Sequence, residues 1–440
     1  MIIEFALIRN MKSTVQGLIQ IYIIYGMGKS GQAAFDLLTK KNVNKEQIFL
    51  FDDKLNLNTF ESLLEKPPGT LILSPGVPIK SDPIQNLIAK GWSLTSEINL
   101  ACEFLTTEKI IGITGSVGKS TVTSLLGEAV RTVDKNAFVG GNLGLPFAQY
   151  AVDILSGKPK ADWIILELSS YQLENCTHLH LDYSALTYLS PNHMERYDSL
   201  DHYYKTKLEI TKQTKKLTFI NADSKDVEKY LSQIAGKIEK TSRKDERFAD
   251  LLPEAALLGS HNQENIALAL AISEKLNWGK ESQQKILNFA GLPHRLEQIG
   301  TYNKITFIND SKATAIDSVL VAASAALENL STGGQLHILI GGKDKNLPWP
   351  DLAKVKTQSK NSKKINLIFF GECGLLAKTK SKSDGLVFNT LAEALTETFP
   401  KLKNNDTLLL SPGGTSLDEF KNFEARGTFF RTQVEKHFKK

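Results

Sequence analysis

Short apolar runs, each ending in a glycine-rich or polar turn, recur along the whole chain, and many of the turns open onto helical apolar spacing. Ile21-Tyr-Ile-Ile-Tyr25 runs into Gly26-Met-Gly28-Lys-Ser-Gly31, after which Ala34, Leu37 and Leu38 keep a helical period. Ile48-Phe-Leu-Phe51 ends in Asp52-Asp53, and Thr70-Leu-Ile-Leu73 ends in Ser74-Pro-Gly76. Lys109-Ile-Ile-Gly-Ile113 precedes a second glycine-rich turn, and Val122, Leu125, Leu126, Ala129, Val130 and Val133 then follow with helical spacing. Trp163–Leu168, Ala185–Leu189, Ile305–Ile308, Leu336–Ile340, Ile365–Phe370 and Thr407–Leu410 complete the apolar series. Strands of this kind alternating with helices predict parallel α/β domains with ligand crevices at the strand C-termini.

The turns carry the candidate chemistry. An acid about twenty residues after a glycine turn is where dinucleotide-binding folds hold a ribose, so Asp52 and Asp53 point to nucleotide binding; a tight turn with no ligand stays open beside it. Thr114-Gly-Ser-Val-Gly-Lys-Ser-Thr121 reads as a phosphate loop. Its Gly115 and Gly118 let backbone N–H groups wrap a triphosphate, Lys119 reaches the β/γ oxygens, and the Ser120 or Thr121 hydroxyl can meet Mg²⁺. Ile113 stands where the usual pattern has its first glycine, so an ordinary helix-opening turn is the alternative. Glu167, near the end of an apolar strand, reads better as a metal ligand than as a structural carboxylate, since an unpaired buried acid is costly, whereas His193 alone reads more readily as a structural histidine than as a metal ligand. Lys312 and Lys345 follow late strands and suit an acidic ligand; as single lysines they also fit a solvated surface.

A length of 440 residues suggests roughly three domains. The 53 Lys and Arg against 48 Asp and Glu are spread along the chain, which argues against a dedicated nucleic-acid binder. Three cysteines, Cys102, Cys176 and Cys373, fit neither a disulfide framework nor a zinc site and point to a reducing cytoplasm. No apolar run approaches the ~20 residues of a membrane span. Residues 1–20 precede the first strand and are assigned no role.

In their order the motifs resemble the Mur ligase family, and within it the branch that adds D-glutamate to UDP-N-acetylmuramoyl-L-alanine. The resemblance spans nearly the whole chain from Ile21. It is carried by GITGSVGKST at 112–121, GGNLGLP at 140–146, LELSSYQLE at 166–174, NHMERY at 192–197, GSHNQEN at 259–265, GLPHRLE at 291–297, NDSKAT at 309–314 and SPGGTSLDEFKNFEARG at 411–427. NDSKAT and SLDEFKNFEARG separate this branch from the other amide-forming members and from folylpolyglutamate synthase.

The resemblance implies three α/β domains: an N-terminal Rossmann-like domain at 1–107 for a UDP-sugar, a central P-loop ATPase-like parallel sheet at 108–291, and a C-terminal Rossmann-like domain at 292–440 for D-glutamate. It also implies ATP-driven amide formation through an acyl phosphate, with Mg²⁺, two ions in this reading. Catalytic roles fall on Lys119, His193 and Lys207, and metal contacts on Ser120, Glu167, His193 and Lys207, the last as a lysine carbamylated by CO₂. Lys205 is the fallback for that position. Ser30, Asp52, Asp53, Lys54, Ser74, Pro75 and Gly76 match UDP-sugar contacts, and Asn142 a position near the muramoyl end. Nucleotide contacts fall on the loop from Gly115 to Thr121 and on Asn262, Asn265, Arg295 and Asp310. Lys312, Thr314, Lys345, Ser416 and Phe423 match the D-glutamate site. Small-molecule substrates, a monomeric state, a cytoplasmic location and no membrane or nucleic-acid partner follow from the same reading.

The chain departs from the family pattern at Val117, Asn192 and Ala315, each in place of a usual polar residue. The stretch from Asn221 to Gly259 is also short, so some central strands are expected to be missing. The alternatives are a ligase of the same superfamily with another acceptor amino acid or donor, a regulatory protein that has lost catalysis, and an NAD dehydrogenase, for which no hydride site is evident.

Overall fold

The computed structural model describes residues 20–53, 55, 59–191, 196–257, 259–357 and 365–439. Three sheets organise these residues. The chain divides into two compact units, Met1–Thr241 and Ser242–Lys440, the first holding two sheets and the second holding one.

The first sheet has β1 (Tyr22–Tyr25), β2 (Ile48–Phe51), β3 (Thr70–Leu73) and β4 (Ser93–Thr95), all parallel, in the order β2-β1-β3-β4. Along β1 the side chains alternate between two cores. Tyr22 and Ile24 join a cluster with Leu37, Ala101 and Ala148, while Ile23 and Tyr25 join one with Leu71, Ile84 and Trp92. Both faces are therefore covered, and the strand reads as a continuous apolar run.

The second sheet has β5 (Lys109–Thr114), β6 (Phe138–Gly141), β7 (Trp163–Glu167), β8 (Leu181–Leu186), β9 (Thr214–Asn221) and β10 (Ile238–Thr241), again all parallel, in the order β10-β9-β8-β5-β7-β6. The strand order turns back between β5 and β8, which is where doubly wound sheets open their crevice, and the glycine turn after β5 lies there. β10 falls within the short 221–259 stretch and extends the sheet beyond β9.

The third sheet has β11 (Glu297–Tyr302), β12 (Ile305–Asn309), β13 (Leu336–Gly341), β14 (Ile365–Phe370), β15 (Gly385–Phe388) and β16 (Thr407–Gly413), ordered β11-β12-β16-β13-β14-β15. It departs from the all-parallel expectation at one edge, where β11 runs antiparallel to β12. The cause is local: Asn303 and Lys304, at φ 52° and 61°, form a two-residue hairpin of the kind whose twist matches paired strands. Placing β16 between β12 and β13 gathers the loops after all three strands at one end of the sheet. Among the described residues no helix is long and apolar enough to cross a membrane.

Candidate functional site

In the first unit a cleft of about 480 Å³ is lined by the turn after β1, the ends of β2 and β3, and Gly141, Asn142, Gly144, Pro146 and Gln172. It brings together Ser30, Asp52, Asp53, Ser74, Pro75, Gly76 and Asn142 of the expected UDP-sugar set. Lys54 lies outside the described residues. The Asp52 carboxylate accepts a hydrogen bond from the Met27 amide at 2.7 Å, so this acid also fixes the glycine turn. Ser74 Oγ donates to the Gly26 carbonyl at 2.6 Å, tying β3 to the same turn. At Gly31 a Cβ would lie 2.0 Å from the Gly26 carbonyl oxygen, so only glycine lets the helix Lys29–Lys40 start this close. Tyr25 donates to Asp53 at 3.4 Å, and burial together with that carboxylate pushes its hydroxyl up to about 12.

The phosphate loop is shaped by its neighbour strand. Ile113 is a fully buried residue of β5, so the loop begins two residues later than in the strict pattern. Gly115 and Gly118 take φ 150° and 91°, and a Cβ on Gly115 would lie 1.9 Å from Thr187 Oγ1. Thr187 Oγ1 donates to the Val117 carbonyl at 2.6 Å, and the Ser116 and Val117 amides donate to the Tyr188 carbonyl at 2.9 and 3.1 Å. Lys119 opens the helix Lys119–Val130 and its amine donates to the Gly115 and Ser116 carbonyls at 2.9 and 3.1 Å. The Val117 side chain stays exposed, so this departure leaves the backbone cradle unchanged. Thr187 belongs to no motif, and its signal was an ordinary threonine in an apolar run.

Glu167 ends β7 and is almost wholly buried. Asn142 Nδ2 donates to its Oε1 at 2.6 Å, while its buried Oε2 has no hydrogen-bond partner among the described residues. An orphaned carboxylate oxygen is costly in a protein interior, and a cation is the natural complement, so the residues present fit Mg²⁺. His193, with Asn192, lies outside the described residues. Lys207 is 1% exposed on the helix Leu200–Lys212, its amine 4.7 Å from the Tyr203 ring centre. Tyr203 in turn donates to Ser116 Oγ of the phosphate loop at 3.1 Å. Burial, then repulsion from Lys119, holds the Lys207 amine well below the usual lysine range, against the opposing pull of Glu167. Lys205 is at the surface, paired with Asp201 at 2.8 Å.

In the second unit the loops after β12, β13 and β16 interlock. Ser411 Oγ donates to Asp310 at 2.9 Å, and Ser311 Oγ donates to the Phe423 carbonyl at 2.9 Å. Lys343 and Thr415 exchange backbone hydrogen bonds at 2.8 and 2.9 Å, which joins the loop of Lys345 to that of Ser416. The fully buried Arg426 donates to Ser311 Oγ, the Ser311 carbonyl and the Gly414 carbonyl at 3.1, 2.9 and 3.2 Å. Arg426 lies inside the run at 411–427, where nothing in the sequence marks it as a buried clamp. The Lys312 amine sits 3.9 Å from the Phe423 ring centre; its partial burial and the nearby Arg295 lower its pKa. Lys345 is exposed, Thr314 half-buried and Ser416 buried.

Arg295 is flanked by His294 and Leu296 at φ 64° and 44°, a left-handed conformation unfavourable for a leucine. Glu297 accepts from the His294 amide and Asp310 from the Leu296 amide, at 3.0 and 3.2 Å, and these bonds hold the turn. Asn262 and Asn265 share the buried face of the helix Ser260–Lys275, with Asn265 Nδ2 3.4 Å from Asn262 Oδ1.

Burial pushes the Asp310 carboxyl up to about 7. A carboxyl raised on folding favours the native state below its unfolded pKa of ~4, and that contribution is lost as pH rises toward 7. Asp310→Asn is therefore expected to flatten the pH dependence of stability between pH 4 and 7, by up to about 4 kcal/mol. Denaturant titrations of both proteins across that range check this, and an unchanged slope would count against a protonated Asp310.

Comparison with known proteins adds four findings. Residues 113–273 match the family description Mur ligase middle domain. A UDP-N-acetylmuramoylalanine--D-glutamate ligase of Haemophilus influenzae is 34% identical, the match covering 92% of this chain and 96% of that one. One of Myxococcus xanthus is 31% identical over 94% of this chain and 98% of its own length. The fold is similar to that of a MurF ligase from Thermotoga maritima solved in complex with ADP, at TM-score 0.59 and 14% identity, covering 84% of this chain and 96% of that one.

Proposed function

The chain belongs to the Mur ligase family, and from that premise we propose that it is the ATP-dependent ligase that adds D-glutamate to UDP-N-acetylmuramoyl-L-alanine in peptidoglycan synthesis. The observation that carries the reading is identity of 34% over 92% of the chain, well beyond the middle region. In this reading the three domains are 1–107, 108–291 and 292–440.

The reaction needs a carboxylate made electrophilic. An oxygen of the alanyl carboxylate attacks the γ-phosphorus, the bond to ADP breaks, and an acyl phosphate results. The D-glutamate amine then attacks the acyl carbon, phosphate leaves, and the nitrogen loses a proton. Lys119 and the amides of the phosphate loop hold the triphosphate and offset its charge. Ser120, Glu167, His193 and the carbamate of Lys207 are the residues assigned to Mg²⁺, which supplies neutralisation of the crowded phosphate oxygens. The first-unit cleft takes the UDP-sugar, with Asn142 toward the muramoyl end. Asn262 and Asn265 take the adenine side, and Arg295 and Asp310 complete the nucleotide contacts.

Lys312, Thr314, Lys345, Ser416 and Phe423 take D-glutamate, and the joining of their loops supports this assignment. Lys345→Ala and Ser416→Ala are each expected to raise the KM for D-glutamate about 10- to 100-fold, with the KM for ATP within about 2-fold, because each leaves a carboxylate poorly paired. Unchanged D-glutamate KM in both would remove the acceptor from this sheet. A monomeric state and a cytoplasmic location belong to the same proposal, as the substrates are small, charged and energised by ATP. The reading itself is tested with ATP, Mg²⁺, UDP-N-acetylmuramoyl-L-alanine and a panel of amino acids. ADP and amide product should appear with D-glutamate, and product with another amino acid instead would replace it.

A further inference from the structure

Glu97 belongs to none of the motifs quoted above, yet its side chain ends on the loop that lines the first-unit cleft. It opens the short helix Glu97–Cys102, capped by Ser96, on the chain segment that joins β4 to β5. It is 2% exposed, and its Oε2 accepts a hydrogen bond from the Ala148 amide at 2.7 Å, at the start of the helix Ala148–Leu155. Its other oxygen is buried with no hydrogen-bond partner among the described residues. An acid held this way adds nothing to the apolar core around it, where a leucine of similar volume would be less costly.

The loop from Gly141 to Phe147 is pinned at both ends. At its start Gly141 takes φ 97°, where a Cβ would meet the Glu167 carbonyl at 2.3 Å, and the Asn142 amide donates to that carbonyl at 2.8 Å. At its end stands the bond to Glu97. Between the two, Asn142, Gly144 and Pro146 face the cleft, and Asn142 also reaches Glu167 Oε1. The Glu97 helix is itself fixed to the second sheet's flank, since Asn99 bonds the Asn175 carbonyl and the His178 amide at 3.2 and 3.1 Å.

We infer that Glu97 is a positioning residue that holds the loop 141–147 against the cleft and thereby sets affinity for the ligand bound there. The inference rests on the reading of that cleft as the UDP-sugar site. Glutamine keeps both the length of the side chain and an oxygen to accept from the Ala148 amide, and burial, which pushes the Glu97 carboxyl up to about 7, disfavours the charge that glutamine lacks.

The test uses full-length Glu97→Leu, Glu97→Gln and Glu97→Asp, the last withdrawing the acceptor by one methylene. Glu97→Leu and Glu97→Asp are expected to raise the KM for UDP-N-acetylmuramoyl-L-alanine about 10-fold, with the KM for ATP within about 2-fold, while Glu97→Gln stays near wild type. Thermal melting run alongside separates this from loss of fold. Unchanged UDP-substrate KM in the Leu and Asp variants, or a Gln variant as impaired as Leu, would overturn the role of Glu97. Calorimetric titration of wild type with the UDP substrate stands apart: failure to bind there would sink the cleft assignment instead.

Discussion

Lys207→Ala is expected to lose activity by about 10³-fold or more, and short carboxylates such as acetate or formate are expected to restore part of it. An exposed lysine at its ordinary pKa of ~10.4 is protonated at neutral pH and does not react with CO₂. Lys207 differs because burial and Lys119 both disfavour its ammonium form. A neutral amine can attack the CO₂ carbon, form the N–C bond and release a proton, leaving an anion where a cation stood. That exchange also changes the local balance, because an anion beside Lys119 is stabilised where an ammonium was repelled. Lys205→Ala serves as the control, since that amine is paired with Asp201 at the surface, and it should match wild type. The readout is turnover against added carboxylate concentration, and full activity of Lys207→Ala would end the carbamate reading.

Lys119→Ala is expected to remove turnover to a similar extent, about 10³-fold, while the UDP substrate binds within about 2-fold of wild type. The two halves of this expectation have separate grounds. Lys119 is the cation of the phosphate loop, and phosphoryl transfer depends on charge placed against the β/γ oxygens. The residues lining the first-unit cleft do not include it. The loop should keep its shape in the variant, because Thr187 and Tyr188, just after β8, hold the Val117 and Ser116 backbone. Calorimetry with the UDP substrate and a steady-state assay decide it. Loss of UDP binding along with turnover would mean that the two sites are not independent.

Most of the strands that sequence pattern located are buried on both faces, the edge strand β2 being an exception. β1, β5, β7, β13 and β16 read as apolar runs because helices cover each side. The strands that escaped are short or begin polar: β4 is Ser-Leu-Thr, β10 is Ile-Glu-Lys-Thr, β9 opens with Thr-Lys-Lys, and β6 ends in two glycines. β11 escaped for another reason, since Glu-Gln-Ile-Gly-Thr-Tyr carries a register shift between Gln298 and Gly300 that breaks the two-residue period. In the site, the residues assigned to ligand were named by resemblance to the family. Residues that act on other protein groups were not: Thr187 and Arg426 hold loop backbone through hydrogen-bond directions that no linear pattern records, although Arg426 lies inside the run at 411–427. The burial of Lys207 beside an exposed Lys205 is of the same kind, because it depends on which face of one helix turns inward.

The hairpin at Asn303 and Lys304 has a kinetic meaning. By placing β11 outside β12, it makes β12 an interior strand, with partners on both sides. Edge strands fray, and a loop hanging from one inherits its breathing; a strand zipped on both sides opens only with the wider sheet. The segment that presents Asp310, Ser311 and Lys312 is thereby anchored to an interior strand of the sheet. Backbone amides of Ile305–Asn309 are then expected to trade hydrogen with solvent on the timescale of cooperative opening, and the loop they carry is held in order from its first residue.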